Sequence, residues 1–261
     1  MSTLNITIIQ SNLHWHSPEK NIAMFEQEIQ NLSKKTDLIV LPEMFTTGFS
    51  MSAQEMAETS NGPSITWMKK IAVSHKTAIC GSLIIEEEKK SYNRFLCAMP
   101  NGKCITYDKR HLFRLANEQN YYSAGDSQIT FKIKKFRIAP MICYDLRFPV
   151  WSRNQGHYDL LIYVANWPSK RHYAWETLLR ARAIENLSYV AGVNRVGKDN
   201  NGINYSGGST IIDYQGKEII NLSKKTTSHS VELEMKALQE YRNQFAFHKD
   251  ADRFTLEKNV R

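Results

Sequence analysis

The stretch FRIAPMICYDLRFP, residues 136–149, decides how this chain is to be read. Its first half is apolar enough to be a buried strand. A thiol, an aromatic and an acid then follow at once as Cys143, Tyr144 and Asp145, with a base at Arg147. A cysteine that only fills core lies more naturally inside an apolar run than at its end. A strand that turns sharply into a helix projects one side chain from the sheet edge, as a nucleophile elbow does. The same turn aims the next backbone N–H, that of Tyr144, toward the same spot, and a helix starting there favours the thiolate. Taken alone, Cys143 reads more readily as an inert buried cysteine.

Working outward, strand-like and helix-like stretches alternate. Strands are predicted at 4–10, 37–42, 77–85, 94–99, 103–108, 128–133, 136–143, 159–165, 188–194, 207–213, 217–220 and 229–234. Asn101-Gly102 joins the fourth and fifth as a hairpin. DLIVLP, residues 37–42, is wholly apolar, as strands covered on both faces are. Helices are predicted at 18–35, with Pro18 in its first turn, at 63–75 behind Pro63, and at 171–187. The last helix carries Trp175, Leu178, Leu179, Ala183 and Leu187 on one apolar side. The order implies a layered α/β protein with two packed sheets and helices outside. No linker, repeat or low-complexity tract divides it, so residues 1–235 are read as one domain. Residues 236–261 are read as a polar C-terminal extension that packs on the surface or on a partner subunit.

The bulk properties narrow the function. A chain of 261 residues buries a full core unaided. Its four cysteines form no CxxC pair and no cluster with histidines, which argues against a zinc site or disulfide framework. No basic, long-apolar leader opens the chain, and no apolar run has membrane-spanning length. The expectation is a cytoplasmic protein with reduced thiols and no membrane partner. A net charge of +8 allows nucleic acid as a partner. Yet Lys and Arg are dispersed, and neither a recognition helix nor a base-stacking aromatic motif stands out. A solvated basic surface is the expected meaning.

Two other strand ends carry chemistry. In LIVLPEMFTTGF, Glu43 follows an apolar strand. It reads as a loop charge or, if buried, as a general base with its pKa raised into a useful range. In ITYDKRHLFRLANEQN, Lys109 follows Asp108. Such a lysine is ordinarily solvated, but held beside an acyl carbon it stabilises an oxyanion. Glu118, nine residues on, could orient that lysine or sit in a polar loop.

Together, LPEMF, YDKRHLF and ICYDLRFP resemble the Glu-Lys-Cys signatures of the nitrilase superfamily of carbon–nitrogen hydrolases. The likeness runs from about Asn5 to about Glu234. NWP at 166–168, WETLLRARAIEN and GGST at 207–210 add to it. Within the superfamily the chain looks closest to the ω-amidases, which deamidate keto-acid monoamides such as α-ketoglutaramate and α-ketosuccinamate. The resemblance implies a four-layer α-β-β-α sandwich, often paired into a homodimer across one helical layer. It implies Cys143 as nucleophile, Glu43 as acid and base, Lys109 and the Tyr144 N–H as oxyanion donors, and Glu118 in support. It implies neither metal nor organic cofactor. Phe45 and Trp167 flank the motifs and are candidate pocket walls or, equally, core aromatics. Arg114, Arg147 and Arg171 are candidates for the substrate carboxylate. A nitrile or N-carbamoyl substrate is the nearest alternative. A non-catalytic basic binding module is the alternative from another class.

Overall fold

The protein is described by a computed structural model covering residues 2–257. Nearly every strand core is apolar on both faces, so each must be covered twice. Two six-stranded sheets answer that need. The first contains β1 (Thr3–Gln10), β2 (Leu38–Val40), β3 (Ala78–Glu87), β4 (Lys90–Ala98) and β5 (Cys104–Asp108) in chain order. The second contains β6 (Phe131–Ile133), β7 (Phe136–Ile142), β8 (Leu160–Val164) and β9 (Tyr189–Val193). A separate ribbon pairs β10 (Val196–Lys198) with β11 (Asn204–Ser206). β12 (Thr210–Ile212) and β13 (Glu218–Asn221) complete the second sheet. β14 (Thr227–Glu234) returns to the first, antiparallel to β1, with Thr3 opposite Glu234.

Alternation along the strands separates two cores. In β2 and β3, Leu38, Val40, Ala78 and Cys80 face the second sheet and meet Ile138, Ile142, Leu160 and Ile162. Their neighbours Ile39, Ile79, Leu83 and Ile85 face outward. They pack under α1 (Pro18–Gln30) and α3 (Pro63–His75) through Phe25, Ile29, Trp67, Met68 and Ile71. Over the second sheet lies α5 (His172–Asn186), which buries Trp175, Leu179 and Ala183. Gly192 of β9 makes this approach possible, because a Cβ there would stand 2.4 Å from a Leu179 methyl. The layers are therefore helix, sheet, sheet, helix, as the resemblance implied.

The differences from the sequence reading lie at the edges. α1 ends at Gln30 rather than at 35. The apolar periodicity stops at Leu32, and Ser33, Lys34 and Lys35 gain nothing by staying helical. β6 starts at Phe131, not 128. Two short helices, α2 (Ala53–Met56) and α4 (Pro149–Ser152), sit in loops. Past Met235 the polar stretch forms α6 (Met235–Gln244), a helix the reading did not contain. It buries only Met235 and Leu238. Its anchor is polar: Arg242 donates to Asp159 Oδ1 at 2.7 Å and to the carbonyls of Leu187 and Tyr158 at 2.8 and 3.0 Å. Among the described residues no helix is long and apolar enough to cross a membrane.

Candidate active site

Glu43, Lys109 and Cys143 all lie just past C-terminal strand ends, after β2, β5 and β7. The first two belong to one sheet and the third to the other, so packing the sheets brings the three together. Each loop turns sharply there. Met44 (φ 43°), Asn117 (φ 56°), just before Glu118, and Cys143 itself (φ 44°) are left-handed non-glycine residues. Such backbone costs about 1–3 kcal/mol each and persists where surrounding contacts fix it.

At Cys143 those contacts come from Asp145. It folds back beneath the cysteine and accepts the Ile142 N–H at 3.0 Å and the Tyr107 hydroxyl at 2.7 Å. It also accepts the His111 N–H at 2.9 Å, and His111 Nδ1 lies 2.8 Å from the same oxygen. His111 is two residues from Lys109, and its ring stacks on Phe148 with centroids 3.8 Å apart. Asp145 thus ties the lysine loop to the cysteine turn. From behind, Arg182 of α5 donates to the Leu146 carbonyl at 2.6 Å.

Glu43, Lys109 and Glu118 are fully buried. Lys109 Nζ donates to Glu43 Oε1 at 2.9 Å and to both oxygens of Glu118 at 3.0 Å. Asn93, inside β4, bridges the acids: its Nδ2 donates to Glu43 Oε1 at 2.7 Å and to Glu118 Oε1 at 3.3 Å. Asn93 Oδ1 in turn accepts from Ser82 at 2.8 Å. The Phe113 N–H donates to Glu118 at 2.5 Å. The Asn166 N–H reaches Glu43 Oε2 at 2.8 Å. Glycine is required at 125, where a Cβ would stand 2.2 Å from the Asp108 carbonyl. The Gly125 N–H also donates to the Lys109 carbonyl at 2.9 Å.

The electrostatics follow. Burial opposes the charged form of Lys109, but the carboxylates of Glu118 and Glu43 outweigh it and raise its pKa. Burial raises the Glu118 pKa, with Lys109 pulling the other way. Glu43 and Glu118 both lie close enough to the Cys143 thiol to act on its charge. Burial and then the Glu43 carboxylate push its pKa well above the ordinary value, against the pull of Lys109. The expectation of a turn that favours thiolate is thereby corrected. Cys143–Arg147 is a single 3-10 turn, and two buried carboxylates face the sulfur.

Cys143, Lys109, Tyr144, Asn166 and Trp167 line one cavity of about 380 Å³. Phe45 does not: it is fully buried in the outer core against Phe25 and Trp67, with ring centroids 5.7 and 6.0 Å away. Its side chain points away from Cys143 because Gly81 leaves room for it there, a Cβ at 81 standing 2.8 Å from the ring. Phe49, Met51 and Phe113 are the apolar walls instead. Arg147 and Arg171 also line this cavity, whereas Arg114 faces a neighbouring one. Arg147 lies over Trp167 and Arg171 over Phe113, at 5.2 and 5.0 Å from the ring centroids. Among the described residues neither guanidinium has an ion-pair partner, and no group of three His, Cys, Asp or Glu could hold a metal ion.

Residues to which the sequence reading gives no role are Asn93, His111, Asp145 and Asn166. Three stand inside the quoted motifs, where they look like spacers. Asn93 carries no local signal, since it stands just before the predicted strand 94–99 and only the longer β4 of the structure takes it in.

A family model described as carbon–nitrogen hydrolase matches residues 5–243. The chain belongs to that family. It is 45% identical over 257 residues to omega-amidase YafV of Escherichia coli, covering 98% of this chain and 100% of that protein. It is 33% identical over 242 residues to 2-oxoglutaramate amidase of Bacillus subtilis, covering 91% and 93%. The crystal structure of a CN-hydrolase superfamily protein from Xanthomonas campestris, with an arsenic adduct in its active site, superposes with a TM-score of 0.96. That protein is 42% identical, and the match covers 98% of this chain and 100% of that one. Nit3 of Saccharomyces cerevisiae, a nitrilase-superfamily member, shares the fold at a TM-score of 0.84 and 22% identity, over 93% and 94% of the chains. This carbon–nitrogen hydrolase is thus an enzyme acting on non-peptide carbon–nitrogen bonds.

Proposed function

We propose that this enzyme is an ω-amidase that releases ammonia from small carboxylated amides, α-ketoglutaramate and α-ketosuccinamate among them, through a thioester on Cys143. The observation that carries the reading is the convergence of Lys109 and Cys143 on one cavity, with Glu43 bonded to Lys109 behind it and its carboxylate close enough to raise the thiol pKa. The relatives named omega-amidase and 2-oxoglutaramate amidase support the substrate class.

Cys143 attacks the amide carbonyl carbon as its proton passes to Glu43. Lys109 and the Tyr144 N–H receive the oxyanion. Tyr144 stands in the first turn of Cys143–Arg147, where an N–H has no acceptor within its own turn. Glu43 then protonates the departing nitrogen, ammonia leaves, and the thioester remains. Glu43, ionised again, takes a proton from water, which attacks the thioester; the acid leaves and Glu43 returns the proton to the Cys143 sulfur. Glu118 holds Lys109 in place. Arg147 and Arg171, resting on aromatic walls without a carboxylate partner, meet the far carboxylate of the substrate. Trp167 walls the pocket.

Substitution Cys143→Ala removes turnover while the fold persists, and mass spectrometry of substrate-treated wild type finds an acyl adduct on Cys143. Full activity in that variant would refute the scheme. Losing Lys109 costs about a hundredfold to a thousandfold in turnover. Ammonia release from α-ketoglutaramate, α-ketosuccinamate, glutamine, an N-carbamoyl amino acid and a nitrile decides the class. Preference for either of the last two removes the ω-amidase assignment.

The same reading places the enzyme in the cytoplasm, in keeping with four free thiols. It also pairs two copies across the α5 layer, where Tyr173 and Ile184 stand exposed. Sedimentation of the wild type as a monomer at micromolar concentration would remove the dimer.

A further inference from the structure

Asn166, just past β8, is 3% exposed and forms part of the cavity wall. Its Nδ2 donates to the Glu43 carbonyl at 2.6 Å and lies 3.5 Å from Glu43 Oε2. Both partners are acceptors only, so the amide nitrogen must face them and the orientation of the side chain is fixed. Oδ1 therefore turns away from Glu43, and among the described residues it has no hydrogen-bond partner. A buried acceptor left unpaired is costly and needs a reason.

We propose that Asn166 Oδ1 accepts an N–H of the scissile carboxamide and so selects primary amides over esters and nitriles. The inference rests on the proposed function, in which Cys143 attacks an amide in this cavity. After attack, the substrate nitrogen carries two hydrogens and one lone pair. Holding one hydrogen on Oδ1 turns the lone pair toward Glu43, which the same residue grips through its backbone N–H and Nδ2. Asn166 thus fixes proton donor and proton acceptor together. An ester oxygen or nitrile nitrogen has no hydrogen to offer Oδ1. The product carboxylate sets an acceptor against an acceptor, which favours its release.

The test uses succinamate and monomethyl succinate, which give the same succinyl thioester on Cys143. In Asn166→Ala, acylation by the amide should fall about tenfold or more beyond the fall for the ester, as for one lost hydrogen bond. Hydrolysis of the shared thioester should slow no more than acylation by the ester does, because both lose only the Nδ2 hold on Glu43. An equal fall for both substrates would mean that Asn166 only steadies Glu43, and would overturn the proposal. A thioester hydrolysis slowed as much as acylation by the amide would assign Oδ1 to the attacking water and would overturn it as well. Should the variant fail to fold, Cys143→Ala keeps Asn166 intact. In it, calorimetry should find succinamate bound about tenfold more tightly than the ester, and equal affinities overturn the idea. Turnover of α-ketoglutaramate by wild type tests the ω-amidase assignment separately. If the wild type prefers another primary amide, that amide and its methyl ester replace the succinyl pair. If it turns over no primary amide, both proposals fall.

Discussion

Carbamidomethylation separates two resting states of Cys143. A thiolate held by Lys109 would react with a rate that levels off below pH 7. The neighbours dictate the opposite: burial and the Glu43 carboxylate favour the neutral thiol. The rate of inactivation by iodoacetamide should keep climbing through the ordinary cysteine range near about 8.5 and beyond it. An inflection below pH 7 would show that Lys109 outweighs the two acids. The same balance explains why Glu43 must stand within hydrogen-bonding reach. A neutral thiol attacks an amide only as its proton is taken, so acid and nucleophile work as a unit.

Between elements, Asp145 matters most. It joins the loop after β5 to the turn after β7, and so joins the two sheets at the site. Asp145→Ala leaves the Ile142 N–H, the Tyr107 hydroxyl and the His111 N–H without their acceptor. Each such loss costs about 1–3 kcal/mol. Urea unfolding should report at least about 3 kcal/mol lost, with turnover falling in the part that stays folded. A loss under about 1 kcal/mol, the low end of one such bond, would show that other groups hold the turn. The strand ends are legible in the sequence, because an apolar run that stops at a charged residue marks both the edge of a sheet and a side chain leaving it. The three motifs place Glu43, Lys109 and Cys143 correctly at such ends. The reading fails at Phe45, which lies in the same kind of loop, because nothing local tells which way a loop aromatic turns. That is decided by Gly81, distant in the chain. Asn93 and Asn166 are illegible as a clamp for the same reason: their partners come from other strands.

For the whole molecule, the sandwich is readable only through resemblance. Alternating elements imply layers, but the pairing of β14 with β1 joins the two ends of the described fold, and no local pattern states it. α6 is hidden because a helix held by Arg242 and two buried side chains looks polar throughout. Deleting the chain from residue 227 removes β14 and α6 and bares the edge of β1, with Ile6 and Ile8 behind it. Such a truncation should be insoluble, since an open apolar edge templates association. Soluble, active protein would show that the remaining strands suffice. The β1 pairing has a temporal side. β1 waits for β14, which follows all the other strands, before its outer neighbour exists, and until then that margin stays open. Closing the first sheet therefore lags its synthesis, and the growing chain needs shielding along that margin until β14 arrives.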